Sequence, residues 1–179
     1  MNKFSLLIFI LIFFIITGCT DNDTVSKTKE TKVNNEVSTH TQQKAPVDIE
    51  EKILNNTSWE LSGTFQSGGY EMLGKPRKVG IIYEPFESGK TKKYMWHFWG
   101  NNLPSGKLTV LGVKEGTKKA KPVLELDGKL VWASRELGGS NNGADAHIPS
   151  NMHIDHSGKW KLFIFIGEKY IDNIVINVD

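Results

Sequence analysis

Between Gly158 and Val178 the chain reads GKWKLFIFIGEKYIDNIVINV, and this stretch decides the fold class. Trp160, Leu162, Ile164 and Ile166 alternate with Lys159, Lys161, Phe163 and Phe165, which is the two-residue period of an extended strand. Gly167 and Glu168 interrupt the run, and a second β-branched run follows at once. A two-residue loop with glycine first suits a type II′ turn, whose first position needs a positive φ and whose twist matches that of the flanking strands. The spacing therefore predicts a hairpin with strands over 158–166 and 169–178. Phe163 and Phe165 make the first strand apolar on both faces, which places it at the centre of a sheet or beneath a second layer.

Upstream, the same pattern recurs as short runs rich in β-branched and aromatic residues, separated by Gly, Pro, Asn or Ser. Candidate strands are TSWELSGTF at 57–65, KVGIIYEP at 78–85, KYMWHFWG at 93–100, KLTVLGVK at 107–114, PVLELD at 122–127, KLVWAS at 129–134 and AHIPSNMHI at 146–154. Trp59, Leu61 and Phe65 share one parity, as do Leu108, Val110 and Gly112. About eight strands at spacings of roughly 8 to 15 residues predict an all-β, immunoglobulin-like antiparallel sandwich, because a single open sheet would leave an apolar face in water. A small closed barrel is the alternative. With one cysteine in the chain, no inter-sheet disulfide can form.

The other end of the chain has a different character. Met1, Asn2 and Lys3 precede FSLLIFILIFFIIT and then Gly18 and Cys19, the order of a charged region, an apolar region and a cleavage site. About fifteen apolar residues at 1.5 Å each span about 22 Å, short of a hydrocarbon core of roughly 30 Å, which favours a signal peptide over a permanent span. Ile16, Thr17, Gly18 and Cys19 resemble the lipobox of bacterial lipoproteins, in which the cysteine receives a diacylglyceryl group and becomes the first residue after cleavage. The expected organisation is a signal peptide over 1–18, a lipidated Cys19 with a disordered linker over 19–49, and a β-sandwich over 50–179. From Thr20 to Lys44 only Val25, Val33 and Val37 are sizeable apolar residues, too few to offset the entropy of ordering that stretch. Asp48 and Glu51 are spaced as a capping box for a helix of one or two turns near Ile53 and Leu54.

Charge adds little. Cleavage after Gly18 removes one cation, Lys3, and lowers the formal charge from +2 to +1, so neither nucleic acid nor acidic lipid is implied. Two acyl chains hold a protein at a membrane without help from a polybasic patch. The expected location is the extracytoplasmic face of the cell membrane, with an envelope protein or a glycan as the partner of the folded part.

Motifs for catalysis are lacking. Ser88, Gly89, Lys90 and Thr91 look like the end of a P-loop, but Glu84 occupies the upstream glycine position and a strand follows where a helix should start. No G-x-S-x-G elbow occurs, and an acylated Cys19 leaves no thiol nucleophile. The expectation is a non-enzyme without a cofactor. Asp145, His147, His153, Asp155 and His156 fall within twelve residues and are the candidates for a zinc or copper site, the alternative function. Pro149 and Ser150 interrupt that run, and a solvated polar edge explains the same residues. His97, between Trp96 and Phe98, reads as a hydrogen-bonded core histidine. The loop ELGGSNNGAD at 136–145, through Asn141 and Asn142, could join Trp96, Trp99 or Trp132 in a recognition surface; core packing of the tryptophans is the competing reading.

The order Tyr94, Met95, Trp96, His97, Phe98, Trp99, Gly100, then Ala146, His147, Pro149, Ser150, Met152, then Gly158 and Trp160 resembles the YhfM-like lipoproteins of Bacillus-type bacteria over about residues 60–179. The resemblance implies a lipid-anchored, immunoglobulin-like sandwich of unknown role, with no catalytic residue to carry over. His153, Asp155 and His156 lie outside the motif, which weakens the metal reading.

Overall fold

Residues 44–179 are described by a computed structural model; the expected signal peptide, Cys19 and the linker up to residue 43 lie outside the described residues. A six-residue helix, α1 (Glu51–Asn56), precedes twelve strands. They are β1 (Thr64–Ser67), β2 (Tyr70–Lys75), β3 (Val79–Ile82), β4 (Thr91–Phe98), β5 (Lys107–Lys114) and β6 (Ala120–Pro122). There follow β7 (Leu124–Leu126), β8 (Lys129–Val131), β9 (Ala133–Glu136), β10 (Ala146–His153), β11 (Gly158–Ile166) and β12 (Lys169–Val178).

The strands form two antiparallel sheets, and the protein is an all-β sandwich. Seven strands run in the order β1-β2-β3-β4-β10-β7-β8, and five form β12-β11-β5-β6 with β9 on the same edge of β5 as β6. The hairpin read at 158–178 is present: Ile166 faces Lys169 across the turn and Gly167 has φ +58°. The two inner faces follow the period-two pattern. Tyr94, Trp96 and Phe98 from β4, with Ile148 and Met152 from β10, meet Leu108 and Val110 from β5 and Trp160, Leu162, Ile164 and Ile166 from β11. Each such side chain taken fully out of water contributes about 1.5–3 kcal/mol, and this interior is the main source of stability.

The five-stranded sheet has a second covered face. Leu111, Val113, Phe163 and Phe165 point away from the shared core and are covered by Ala45, Val47, Ile49, Ile53, Leu54 and Trp59. The residues before β1 thus form a strap, which explains why β11 is apolar on both sides. Lys161, fully buried beneath it, donates from Nζ to the Thr57 carbonyl and hydroxyl at 2.8 Å each and lies 4.1 Å from the Trp59 ring. Burial holds the Lys161 ammonium below its ordinary pKa, and the charge of Glu115 opposes this only in part.

Four local expectations are revised. Residues 122–127 divide between β6 on the five-stranded sheet and β7 on the seven-stranded sheet. Residues 57–63 are not strand: Trp59 packs on the strap face, Leu61 is 55% exposed, and Phe65 lies on the other sheet, so their shared parity spans different layers. Residues 129–134 divide into β8 on one sheet and the start of β9 on the other, with Trp132 at the crossing. The helix starts from Glu50 without a side-chain cap, so Asp48 and Glu51 form no capping box.

Candidate functional site

The five residues read as a possible recognition surface separate into three layers. Trp96 is fully buried in the sandwich and donates from Nε1 to Ser150 Oγ at 2.8 Å. Trp132 packs on the strap side of the five-stranded sheet. Trp99, Asn141 and Asn142 come together on the outer face of the seven-stranded sheet, where loop 137–145 folds over the ends of β4 and β10.

His97 belongs to this outer cluster. It pairs with His147 across β4 and β10, and their rings stack with centroids 6.4 Å apart. The Asn142 amide Nδ2 lies 3.1 Å from His97 Nε2, while His97 Nδ1 is buried without a hydrogen-bond partner. Burial keeps the His97 imidazole pKa below its ordinary 6.5, and neighbouring His147 adds to this. The reading of His97 as buried and hydrogen-bonded stands, but its cover is a loop rather than the facing sheet.

Further bonds hold the loop down. Trp99 Nε1 donates to the Gly143 carbonyl at 2.6 Å, the Gly100 amide donates to Asp145 Oδ2 at 2.7 Å, and Ser67 Oγ donates to the Asn142 carbonyl at 2.9 Å. His147 Nδ1 lies 2.6 Å from the Gly139 carbonyl, and Gly138 bridges His147 through the backbone. Phe65 packs edge-on against Trp99 with centroids 5.7 Å apart. The tip of the β1–β2 hairpin closes against the loop at Gly68, where a Cβ would sit 2.4 Å from Asn142 Cα. With φ at +57°, that position favours glycine on two counts. From the sequence Phe65 reads only as a strand residue and Ser67 and Gly68 carry no signal, since no local pattern links them to a loop about 75 residues away.

Beside this cluster, residues 148–150 of β10 have no strand neighbour on the edge away from β4. His147 bonds Gly138, and Asn151 pairs with Glu125 of β7, so Pro149 faces the interval between them. Proline carries no N–H, and therefore no donor is orphaned there. An open cleft of about 460 Å³ fills the interval, and Lys93, Arg135, Glu125 and Glu136 place two charges of each sign on it. The surface thus offers ring faces, amides and balanced charges to an extended polar ligand.

The metal candidates do not converge. His147 and His153 share a face of β10, but six residues of strand put them roughly 20 Å apart. His153 Nδ1 lies 3.1 Å from Thr91 Oγ1, which donates to Glu125 Oε2. Asp155 pairs with His156 at 2.7 Å and Lys121 at 3.3 Å, whereas Asp145 accepts the Gly100 amide at the far end of the sheet. Among the described residues, no three His, Cys, Asp or Glu side chains are grouped as a metal ion requires.

Fold and surface together define a class: an antiparallel β-sandwich whose polar and aromatic cluster lies on one sheet under a loop. The chain belongs to the DUF4871 family, a domain of unknown function, which matches residues 49–176. It is also similar to the crystal structure of a candidate lipoprotein from Bacillus anthracis, at 26% identity and a TM-score of 0.66, over 78% of this chain and 99% of that one. No curated protein matches. Neither description names a catalytic activity.

Proposed function

We propose that this protein is a lipoprotein anchored through Cys19 at the extracytoplasmic face of the cell membrane, akin to the YhfM-like lipoproteins, and that its sandwich is a non-enzymatic binding module. The observation that carries the reading is the run of Lys3, an apolar segment, Gly18 and Cys19 ahead of a stretch poor in apolar residues. The candidate lipoprotein among its structural relatives supports it. The partner is an envelope protein or a glycan, met by Trp99, Asn141 and Asn142 with the neighbouring cleft. Ring faces and planar amides suit sugar or peptide, and the balanced charges of the cleft disfavour a strongly ionic ligand.

Fractionation tests the anchor. The parent protein is expected in the membrane pellet, and Cys19→Ala in the medium or as uncleaved precursor. A Cys19→Ala protein that is cleaved and still pellets with membranes would contradict the reading. Trp99→Ala and Asn142→Ala are expected to weaken capture of the partner from intact cells by about tenfold while the sandwich stays folded, the scale of 1–2 kcal/mol for a half-buried anchor.

A further inference from the structure

Four lysines fall within the eight residues 114–121, KEGTKKAK, which connect β5 to β6. The connection is a tight one. Thr117 donates from its amide and its hydroxyl to the Lys114 carbonyl at 3.0 and 2.7 Å, the Glu115 amide donates to the Lys159 carbonyl at 2.9 Å, and Val113 faces Ala120 across the two strands. Lys159 and Lys121 reach Glu115 and Asp155 at 3.4 and 3.3 Å. Lys114, Lys118 and Lys119 have no anionic partner among the described residues. Five cations and two carboxylates therefore give this corner a net charge of +3, hidden within a formal total close to neutral.

We infer that this loop rests on anionic phospholipid headgroups and orients the domain at the membrane, an inference that builds on the anchoring proposed above. Two observations choose lipid as the occupant. The first is charge complementarity. The second is the length of chain ahead of the described residues: 24 residues separate Cys19 from Lys44, and at no more than about 3.6 Å per residue they keep the domain within about 90 Å of an anchored Cys19. Two other basic segments are weaker competitors: Lys75 and Lys78 both bind Asp172, and Lys90 and Lys92 both bind Glu87, which leaves Arg77 and Lys93 as the cations there without an ion pair among the described residues.

Orientation follows from the strands. The loop lies at the end of the sandwich where β4 begins and β10 finishes, as the Lys121 to Asp155 pair shows. Trp99 and Asn142 lie at the other end, eight strand residues and about 26 Å away. With the lysines down, the recognition cluster faces away from the membrane. Each lysine near an anionic surface favours that pose about fivefold, and three together roughly a hundredfold, screened as salt shortens the Debye length from about 8 Å to about 3 Å.

The test uses the full lipidated protein in vesicles of phosphatidylglycerol and phosphatidylcholine, or of phosphatidylcholine alone, with amine acylation at each lysine followed by mass spectrometry. Lys114, Lys118 and Lys119 are expected to label at least fivefold more slowly in the anionic vesicles, and at equal rates in neutral vesicles or 1 M salt. Lys107 and Lys169, at the opposite end, should label alike throughout. The exposed double variant Lys118→Glu/Lys119→Glu should release Lys114 from protection. Equal labelling in both vesicle types, or protection at Lys75 and Lys78 instead, overturns the inference while leaving the anchor intact. Protein that fails to float with either vesicle overturns the anchoring and this inference with it. Protection of lipid-free protein by inorganic phosphate would assign the loop to a soluble anion and also overturn it.

Discussion

Trp96→Ala is expected to be among the most damaging substitutions in the domain, although Trp96 and Trp99 are three residues apart in one aromatic segment. Trp96 is fully buried between the sheets, and its loss leaves a cavity where most of an indole had been. Large-to-small changes of this kind cost about 3–5 kcal/mol. The indole N–H also meets Ser150 Oγ at 2.8 Å, so Ser150, itself only 6% exposed, loses its partner at a further cost of about 1 kcal/mol. The sum is about 4–6 kcal/mol, or a fall in Tm of about 15 °C or more. Trp96→Phe retains ring volume and loses mainly the hydrogen bond, for about 1–2 kcal/mol. Trp99→Ala gives up the bond to Gly143 and the edge contact with Phe65 at a half-buried site, for about 1 kcal/mol. Urea titration followed by tryptophan fluorescence and circular dichroism measures all three, with the slope of unfolding held as a check on two-state behaviour. A loss below 2 kcal/mol for Trp96→Ala, or a larger one for Trp99→Ala, would mean that the inner and outer faces of β4 have been assigned the wrong way round.

Other outcomes follow from the same geometry. Gly68→Ala should cost about 1–2 kcal/mol and shift the NMR signals of Asn142 and His97 while those of the core stay in place, because its Cβ would collide with the Asn142 backbone; unchanged Asn142 signals would refute the contact. His97 has a folded pKa below the 6.5 of the unfolded chain, so its contribution is complete above pH 6.5 and declines as pH falls from there toward the folded value. His97→Gln should flatten that part of the stability profile, and an unaltered slope below pH 6.5 would contradict it. At Asp172 burial alone would raise the pKa, but Lys75, Lys78 and the Asn173 amide more than reverse this and hold it below 3.8. That stabilisation is present above pH 3.8 and lost as pH falls through the folded value. Asp172→Asn should cost about 1 kcal/mol at neutral pH, since both lysines are half exposed, and should remove the loss in acid.

What the sequence discloses depends on how local the determining interaction is. The hairpin at 158–178 is legible because alternation and a glycine-first turn lie within 21 consecutive residues, and β5 and β10 follow the same logic. The strap is not. Val47, Ile49 and Trp59 read as a linker end and a strand because their partners, Leu111, Val113 and Phe163, are more than 50 residues away. Alternation separates Trp96 from His97 and Trp99, but a strand apolar on both faces does not reveal which parity meets the facing sheet. The loop at 136–145 was recognisable from its glycines and amides, whereas its seat on His97, Ser67 and Gly68 arises only when β1, β4 and β10 enter one sheet. The His and Asp cluster shows the opposite error: closeness in sequence on an extended strand means separation in space, since each pair of residues adds roughly 6.6 Å.

The first 43 residues bear most of the functional proposal, and mass spectrometry of the mature N-terminal peptide tests it most directly. The account predicts that the peptide begins at Cys19 and carries a thioether-linked diacylglyceryl group. A mature chain that begins elsewhere, or that carries Cys19 as a free thiol, would contradict it.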